Sequence, residues 1–538
     1  MSQTVRCRMK PYIQPFERRL ATAELMALSR DCSAIAIQNI GGVANGYSAI
    51  VDGPAEKLAR CLAYYESVEQ RGQKMLTSQV LKEATVYVAR NGVPIEEIRR
   101  QIPIKNLETL PNRRCLRYGT HGLHEYRGKF FPQLVRSLIN IAKVPAGGLV
   151  ADPMCGSGTT LVEASLAGCR GIGLDMNPLS VFMSQVKCLM LSVNPDALVT
   201  EYHRVRAALL NPTPASSSSR LACFERLPAR DQDYLKAWFS AQVLEDLGTV
   251  SVQIETVKEA TVRDFMRLAL SNIIRRVSWQ KEEDLRVRKE VRTDVEIDPI
   301  REFMEELGRS VRLVAAFLYQ HGQAQLGVQC IAEGDARRVS EIWHKWLGKV
   351  DAVITSPPYA TALPYLDTDR LSLCYLGLLP RQEHRDRDKR MIGNREITEK
   401  TRQEYMVALK HQCKLLPQSA IMLIGKIDLL NEKSDAGFRR KNLPALLAKY
   451  FLDMREVLAG IYKLLKPGAP AYIVVGNNHT VARGLRVEIE TAKLLAEIAV
   501  MVGLKEGNHV PMEMLPSREI FKQNAVASET ILELRKPQ

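Results

Sequence analysis

The chain lacks the cysteine pairs that build zinc ribbons and disulfide frameworks. Its eleven cysteines are scattered from Cys7 to Cys413 without a CxxC pair, so reduced thiols are the simplest interpretation. It also lacks the run of about eighteen apolar residues that a membrane span requires. The N-terminus, MSQTVRCRMKPYIQPFERRL, is charged throughout and has no apolar signal region. We therefore expect a cytoplasmic protein that does not contact a membrane.

The composition is that of a folded protein with an excess of positive charge. Hydrophobic residues make up 46% and charged residues 25% of the 538 residues, and the formal net charge is +15. This length predicts two or three compact units, or one enzyme fold with large insertions. The charge fits a polyanionic partner, although solvated lysines would account for it equally well.

Helix and strand patterns alternate from about residue 130. FPQLVRSLINIAK and TTLVEASLAG predict helices, while GGLVADP and CRGIGLDMNP predict strands, and this alternation is typical of a doubly wound α/β sheet. Helical patterns dominate until about residue 325, after which GVQCIAEGDA, KVDAVITSPPY, SAIMLIGKIDLL and GAPAYIVVGNN predict further strands. Nearer the N-terminus, AEKLARCLAYYESVEQ has a helical pattern.

We therefore divide the chain into four parts. Residues 1–110 are an N-terminal extension of unknown role, and residues 111–181 are the first part of the α/β domain. Residues 182–325 are a helical insertion, and residues 326–538 are the second part of the α/β domain.

A glycine-rich loop, DPMCGSGTT, follows the first predicted strand and opens a helix. Glycines let the backbone approach a ligand closely, and a helix N-terminus offers free N–H groups with partial positive charge. Asp175 ends the next strand, where an acid can accept hydrogen bonds from both hydroxyls of a ribose. Alone, such a loop is more often a tight turn; together with Asp175 it indicates a nucleoside-containing cofactor. No lysine follows the glycines, which excludes a Walker A loop.

A second motif, Ser356-Pro357-Pro358-Tyr359, follows an apolar strand. Two successive prolines cannot continue a sheet ladder, so they stiffen the loop that leaves the carboxyl edge of the sheet. A proline-stiffened turn without chemistry is the alternative for this motif alone. Its combination with the upstream glycine-rich loop favours a reaction site.

Together these motifs resemble those of amino-type DNA methyltransferases, which act on N4 of cytosine or N6 of adenine. The resemblance covers about residues 115–538 and is strongest to the SPPY-type, N4-cytosine members. It implies the Rossmann-like, doubly wound sheet of class I S-adenosylmethionine-dependent methyltransferases, and no metal. In the family, the segment matching Thr120 to Pro132 packs over the methionine end of the cofactor, and the acid matching Asp335 lies beside the adenine.

The resemblance also assigns the site residues. Those implied to bind S-adenosylmethionine are Lys129, Phe130, Asp152, Pro153, Cys155, Gly156, Ser157, Gly158, Thr159, Thr160, Asp175, Met176, Asp335 and Ala336. Those implied to be catalytic are Ser356, Pro357, Pro358 and Tyr359.

These catalytic residues suit the activation of an amino group, whose lone pair is delocalised into the base. If the Ser356 hydroxyl and the Pro357 carbonyl accept hydrogen bonds from the two amino hydrogens, the nitrogen lone pair points at the methyl sulfonium. The base must first be flipped out of duplex DNA, and Tyr359 can then stack on it. Serine at the first position favours cytosine N4. Cytosine C5 chemistry needs a thiolate, usually in a Pro-Cys dipeptide, and the chain contains no such dipeptide.

Double-stranded DNA is therefore the expected partner, and three alternatives stay open: adenine N6 methylation, amino methylation of an RNA base, and an inactive DNA-binding partner with the same fold. A companion restriction or defence protein is compatible with the resemblance. Target recognition is expected in the helical insertion. The basic segment from Arg381 to Arg402 is a candidate for holding phosphates.

Overall fold

Within the residues that the structure describes, two large β-sheets, a separate two-stranded sheet and many helices organise the chain. The computed structural model describes residues 2–35, 45–90, 92–104, 115–126, 128, 131–211, 217–281, 288–291, 296–322, 326–360, 365–394, 397–411, 413–432, 437–513 and 528–538. The strands are β1 (Ser2–Met9), β2 (Asp31–Ile35), β3 (Gly46–Asp52), β4 (Tyr65–Gln70), β5 (Gln73–Leu76), β6 (Leu149–Asp152), β7 (Arg170–Asp175), β8 (Gln329–Glu333), β9 (Ala352–Thr355), β10 (Pro470–Gly476), β11 (Asn478–Ala482), β12 (Leu485–Ile489), β13 (Lys505–Glu513) and β14 (Ser528–Arg535).

The helices lie between these strands along the chain. They are α1 (Pro15–Leu28), α2 (Ala55–Cys61), α3 (Ser78–Val88), α4 (Ile95–Arg100), α5 (Pro132–Ile141), α6 (Thr159–Leu166), α7 (Pro178–Leu189), α8 (Pro195–Leu210), α9 (Ser217–Glu225), α10 (Ala229–Lys236), α11 (Ala241–Glu255), α12 (Ala260–Ile274), α13 (Pro299–His321), α14 (Val339–Ile342), α15 (Tyr365–Tyr375), α16 (Arg381–Arg390), α17 (Glu399–His411), α18 (Gln418–Glu432), α19 (Phe438–Leu464) and α20 (Thr491–Met501).

The N-terminal strands form an antiparallel sheet in the order β2-β3-β1-β4-β5. The first four strands, with α1 and α2, follow the β-α-β-β-α-β succession of ferredoxin-like units. The core of this unit is continuous with the second sheet, since Val5 and Leu20 share one buried cluster with Val150 and Ile354. The N-terminal extension is therefore a folded unit built onto the α/β domain.

The helical prediction for AEKLARCLAYYESVEQ is correct only as far as Cys61. Residues 65–70 form β4 instead, which lies between β1 and β5 in the sheet. Arg71 and Gly72 both have positive φ, 51° and 79°, as two-residue hairpin turns require. Tertiary pairing with β1 thus decides a segment whose local pattern favoured a helix.

The second sheet is the doubly wound sheet that the sequence predicts. Its order is β13-β14-β10-β9-β6-β7-β8, and β14 is antiparallel to both β10 and β13. From β6 the chain winds outward through β7 and β8, and then returns to β9 on the other side of β6. Ligands of open α/β sheets bind at the carboxyl edge beside such a reversal. The loops after β6 and β9 leave the sheet there.

One interpretation of the strand pattern is wrong. SAIMLIGKIDLL belongs to helix α18, not to a strand. The buried residues of α18 recur at helical spacing, namely Ala420, Ile424, Ile427 and Asn431. Lys426, between them, is exposed. A short apolar run does not distinguish a buried strand from a helix by hydrophobicity alone.

The region between β7 and β8 is helical, from α7 to α13. Its apolar side chains form a large buried cluster that also includes Leu371 and Tyr375 of α15. In addition, the Ser372 hydroxyl of α15 donates to the carbonyl of Ser271, at 3.2 Å. The helical region is thus packed on the helix that follows the Ser-Pro-Pro-Tyr loop, while its limits as an insertion stay a prediction.

A buried ionic cluster joins the N-terminal unit to α6. The Glu163 carboxylate is fully buried and accepts a hydrogen bond from the Tyr118 hydroxyl at 2.8 Å. His121 Nε2 lies 2.9 Å from the same oxygen, and Lys82 Nζ of α3 lies 3.7 Å from the other. Burial alone would raise the pKa of Glu163, but Lys82 and His121 lower it to about 2. Glu163 is therefore a buried anion whose charge depends on the N-terminal unit.

Candidate active site

The glycine-rich loop and the Ser-Pro-Pro-Tyr loop meet at the carboxyl edge of the second sheet. Parallel pairing of β6 with β9 places Ala151 opposite Val353, so both strands end side by side. The Thr355 hydroxyl donates to Asp152 Oδ1 at 2.7 Å, and the Thr160 hydroxyl donates to the Ile354 carbonyl at 3.1 Å. These two bonds tie the loops together beneath the site.

The glycine-rich loop is shaped by two positive-φ glycines, Gly156 and Gly158, at 47° and 78°. Gly158 is the N-cap of α6, and a Cβ there would lie 2.8 Å from the Ser184 hydroxyl. A Cβ on Gly156 would lie 2.7 Å from the Tyr126 hydroxyl. Glycine is therefore needed at both positions for backbone conformation and for space.

Asp175 is held against this loop at the end of β7. Its Oδ2 accepts from Gly156 N–H and its Oδ1 from Asn177 N–H, both at 2.8 Å. Burial raises the pKa of Asp175 to about 6, against the lowering effect of these N–H groups. Each carboxylate oxygen has two lone-pair sites, so the fixed carboxylate retains acceptor capacity toward the cleft.

The Ser-Pro-Pro-Tyr loop is anchored at both ends. The Ser356 hydroxyl donates to the Val474 carbonyl of β10 at 3.0 Å, and the Tyr359 hydroxyl donates to the Glu529 carboxylate of β14. The Asn478 side-chain amide donates to the Ala360 carbonyl, directly after the loop, at 3.0 Å. Burial raises the pKa of Glu529, and the Tyr359 hydrogen bond lowers it only in part.

A cleft of about 850 Å³, measured to its open mouth, lies between the two loops. Most of the predicted site residues line it, namely Pro153, Cys155, Gly156, Ser157, Thr159, Asp175, Met176, Ala336, Ser356, Pro357, Pro358 and Tyr359. Tyr126 and Gly128 of the preceding segment also line it, while Lys129 and Phe130 lie outside the described residues.

Three predicted cofactor residues, Asp152, Gly158 and Thr160, support the cleft from behind and do not line it. Asp152 is fully buried. Burial raises its pKa to about 6, although the hydrogen bond from Thr355 acts in the other direction. These residues therefore shape the loop and join it to β9.

Asp335 is also absent from the cleft wall, which its neighbours Gly334 and Ala336 line instead. The Arg337 guanidinium donates to both oxygens of Asp335, at 2.6 to 3.0 Å, and pairs with Asp453 at 2.9 Å. Burial acts to raise the pKa of Asp335, but Arg337 outweighs it and the pKa is lowered. In this arrangement Asp335 is bound to Arg337 beside the cleft.

The opposite wall comes from the basic segment after α15, where Met391 and Ile392 line the cleft. Arg387 of α16 donates to the Met176 carbonyl at 2.8 Å and to the Glu333 carboxylate, so it holds the cofactor side of the cleft. Lys389 pairs with Asp386 at 3.3 Å. Arg395 lies outside the described residues.

Cys155 is a cysteine of the cleft wall. Burial, with the nearby charges of Asp175 and Asp152, raises the pKa of the Cys155 thiol well above its usual range. Within the described ranges, there is no group of three or more His, Cys, Asp or Glu side chains that could hold a metal ion.

Sequence reasoning missed Glu529 and Arg337, which contact site residues. It considered Arg387 only as a phosphate contact, whereas Arg387 donates to Met176 and Glu333. Glu529 is 170 residues away from Tyr359 in the chain, and no motif surrounds it. Its alternating strand β14 predicts burial of one face but not which side chain reaches the loop.

The chain is similar in sequence to known methyltransferases. The family model UPF0020, an RMKL-like methyltransferase domain, matches residues 124–194. The chain is 22% identical over 438 residues to the type II methyltransferase M.BsoBI of Geobacillus stearothermophilus, covering 73% of this chain and 82% of that one. It is 23% identical over 414 residues to the type II methyltransferase M.MvaI of Kocuria varians, covering 74% and 86%.

The chain is a methyltransferase, similar over about three quarters of its length to type II methyltransferases. A shorter match, 32% identical over 93 residues, is to the tRNA (guanine(10)-N2)-dimethyltransferase of Methanothermobacter thermautotrophicus, and it covers 14% of this methyltransferase and 28% of that one. The class I methyltransferase fold and the cofactor S-adenosylmethionine, which the sequence predicts, are both confirmed.

The cleft of the methyltransferase fits that cofactor. The two glycines leave the loop backbone open, the N-terminus of α6 offers N–H groups, and Asp175 presents a fixed carboxylate. Tyr126, against Gly156, closes the cleft from the side of the preceding segment. Among the described residues of the methyltransferase, no helix is long and apolar enough to cross a membrane; a cytoplasmic location stays a prediction.

Proposed function

We propose that this enzyme transfers the methyl group of S-adenosylmethionine to the exocyclic N4 amino group of cytosine in DNA. The observation that carries the proposal is the hydrogen bond from Ser356 to Val474. Because the hydroxyl proton is donated to the Val474 carbonyl, the Ser356 oxygen can offer only lone pairs to the cleft. An oxygen fixed in this way suits acceptance from an amino group.

The other residues of the loop complete this arrangement. Pro357 has no N–H to donate, and its carbonyl is a second potential acceptor. The Tyr359 ring lines the cleft while its hydroxyl is held by Glu529, so the ring can stack on a flipped base. When these two oxygens accept hydrogen bonds from both amino hydrogens, the lone pair becomes localised on the nitrogen. The cofactor, when bound, supplies the electrophilic methyl group. The extra proton then leaves to water.

Serine at the first loop position supports cytosine as the base, and the type II methyltransferase relatives support DNA as the substrate. The net charge of +15 favours a polyanionic substrate. We propose the helical region as the target-recognition part, because it packs on α15 directly after the loop.

The test is to incubate the enzyme with amplified, unmodified DNA and S-adenosylmethionine, and to identify the nucleosides by mass spectrometry after digestion. We expect N4-methylcytosine. Ser356→Ala should lower the product strongly and leave cofactor affinity unchanged. Ser33→Ala, on the exposed strand β2, is the matched control and should retain full activity.

Each alternative product has a distinct meaning. N6-methyladenine would keep the mechanism and overturn the base, whereas 5-methylcytosine would overturn both. An enzyme that binds the cofactor but modifies no nucleic acid would be the inactive DNA-binding protein.

Amino methylation of RNA is the second candidate, favoured by the local similarity to the tRNA enzyme. The same assay on transfer and ribosomal RNA from unmodified transcripts separates the two. Methylated RNA together with unmodified DNA would replace the proposal by this candidate.

A further inference from the structure

A β-hairpin made of β11 and β12 leaves the sheet beside the catalytic loop. It forms a two-stranded sheet separate from both larger sheets. Its tip residues, Arg483 and Gly484, have φ of 49° and 76°, so the turn is a tight two-residue one. Asn478, the first residue of β11, donates to the Ala360 carbonyl directly after Tyr359. The hairpin is thus fixed to the catalytic loop at its base.

The two faces of the hairpin differ. Ala482, Val487 and Ile489 are buried, and the latter two belong to the core of the α/β domain. The paired residues Val481 and Arg486 lie opposite each other on the other face, where Val481 is 42% exposed. One face therefore anchors the hairpin and the other faces solvent.

The tip carries an exposed apolar side chain next to an exposed cation. Leu485 is 57% exposed, although burial of a leucine side chain is favourable by about 2 kcal/mol. Arg486 pairs with Glu488 at 2.5 Å. No contact of the neighbouring Arg483 side chain is found within the described part of the chain, so its charge stays available.

The reach of the hairpin matches a DNA groove. Four residues separate Asn478 from Ala482, which corresponds to about 13 Å at the rise of an extended strand. The major groove is about 12 Å wide. The length of the hairpin is therefore comparable with the width of this groove.

We propose that the tip of this hairpin contacts duplex DNA next to the flipped base, with Arg483 at a backbone phosphate and Leu485 against the unstacked base step. This inference rests on the proposed function. Extraction of a base exposes apolar base faces that a leucine can cover, and an unpaired guanidinium attracts phosphate. The site is already positioned by the Asn478 hydrogen bond and needs no rearrangement of the core.

The chain contains a matched control at the tip of the β4–β5 hairpin. Arg71 and Gly72 form the same two-residue turn, with φ of 51° and 79°, in the N-terminal sheet. Arg483→Gln and Arg71→Gln thus remove one charge each from equivalent local structures. Cofactor affinity of all variants verifies that they are folded.

Binding to a fixed 30-base-pair duplex is measured at several salt concentrations. We expect Arg483→Gln to reduce the salt slope by about 0.9 and the affinity about threefold, because one phosphate contact is lost. Arg483→Lys should retain the slope, and Arg71→Gln should equal the wild type. Leu485→Ala should lower methylation of native DNA about tenfold but of heat-denatured DNA less than twofold, because single strands need no unstacking.

Two results would overturn this assignment while the wild type still methylates DNA. One is that Arg483→Gln and Arg71→Gln have the same affinity and salt slope; the other is that Leu485→Ala loses the same share of methylation on native and on denatured DNA. The hairpin would then serve another partner, such as a protein. A wild-type enzyme that neither binds nor methylates DNA would refute the proposed function itself.

Discussion

Replacement of Lys82 by methionine tests how the N-terminal unit supports the cofactor helix. Methionine keeps the approximate shape of the lysine stem and removes the charge that lies 3.7 Å from Glu163. Glu163 would remain fully buried with Tyr118 and His121 as its nearest partners. We expect strong destabilisation, because a buried charge loses its partner.

The magnitude follows in two ways. Loss of one partner of a buried ion pair costs about 3–5 kcal/mol. The lowering of the Glu163 pKa from 4.5 to about 2 corresponds to about 3 kcal/mol at neutral pH, which Lys82, His121 and Arg136 supply together. Because the folded pKa is the lower one, this stability is present above pH 4.5 and is lost as the pH falls toward 2. The deficit of Lys82→Met should therefore shrink below pH 4.5.

Equilibrium urea unfolding at pH 7 and at pH 4 measures both effects. Lys74→Met is the control, since Lys74 is half-exposed in its 3.4 Å pair with Glu66 and such pairs contribute at most about 1 kcal/mol. Addition of Glu163→Gln to Lys82→Met should recover much of the loss by removing the stranded charge. A loss below about 1 kcal/mol for Lys82→Met at pH 7 would refute the reasoning.

Three further predictions concern the cleft. Asp175→Ala should weaken S-adenosylmethionine binding by about 1.5–3 kcal/mol, because hydrogen bonds to a charged acceptor are lost; unchanged affinity in calorimetry would reject this residue as the ribose acceptor. In the protein without cofactor the pKa of Asp175 is about 6. Cofactor affinity should therefore fall below pH 6, because the carboxylate takes up a proton. Asp175→Asn should abolish that pH dependence, and a wild-type affinity that is constant from pH 5 to pH 8 would contradict it. Tyr359→Phe and Glu529→Ala should each lower kcat on DNA without changing cofactor affinity. The double variant should lose no more activity than either single variant, because both substitutions remove the same hydrogen bond; additive losses would show that the two residues act separately.

The sequence by itself determined the elements that carry the chemistry. The glycine-rich loop and the Ser-Pro-Pro-Tyr loop each follow an apolar strand, and alternation of strands and helices predicts a parallel sheet. Carboxyl ends of parallel strands lie at one edge, so Gly156, Asp175 and Ser356 could be placed together before any contact was known. The two glycine positions follow from local backbone geometry, which depends on few neighbours.

Only the tertiary structure decided what surrounds these elements. The Tyr359–Glu529 hydrogen bond joins residues 170 positions apart, and the Asp335–Arg337 pair depends on side-chain orientation within one turn. The strand β4 and the helix α18 were decided by packing, because their local patterns fit more than one structure. The buried charge of Glu163 is compensated by Lys82 from another unit. Such pairings depend on proximity that folding creates, which residue spacing along the chain does not encode.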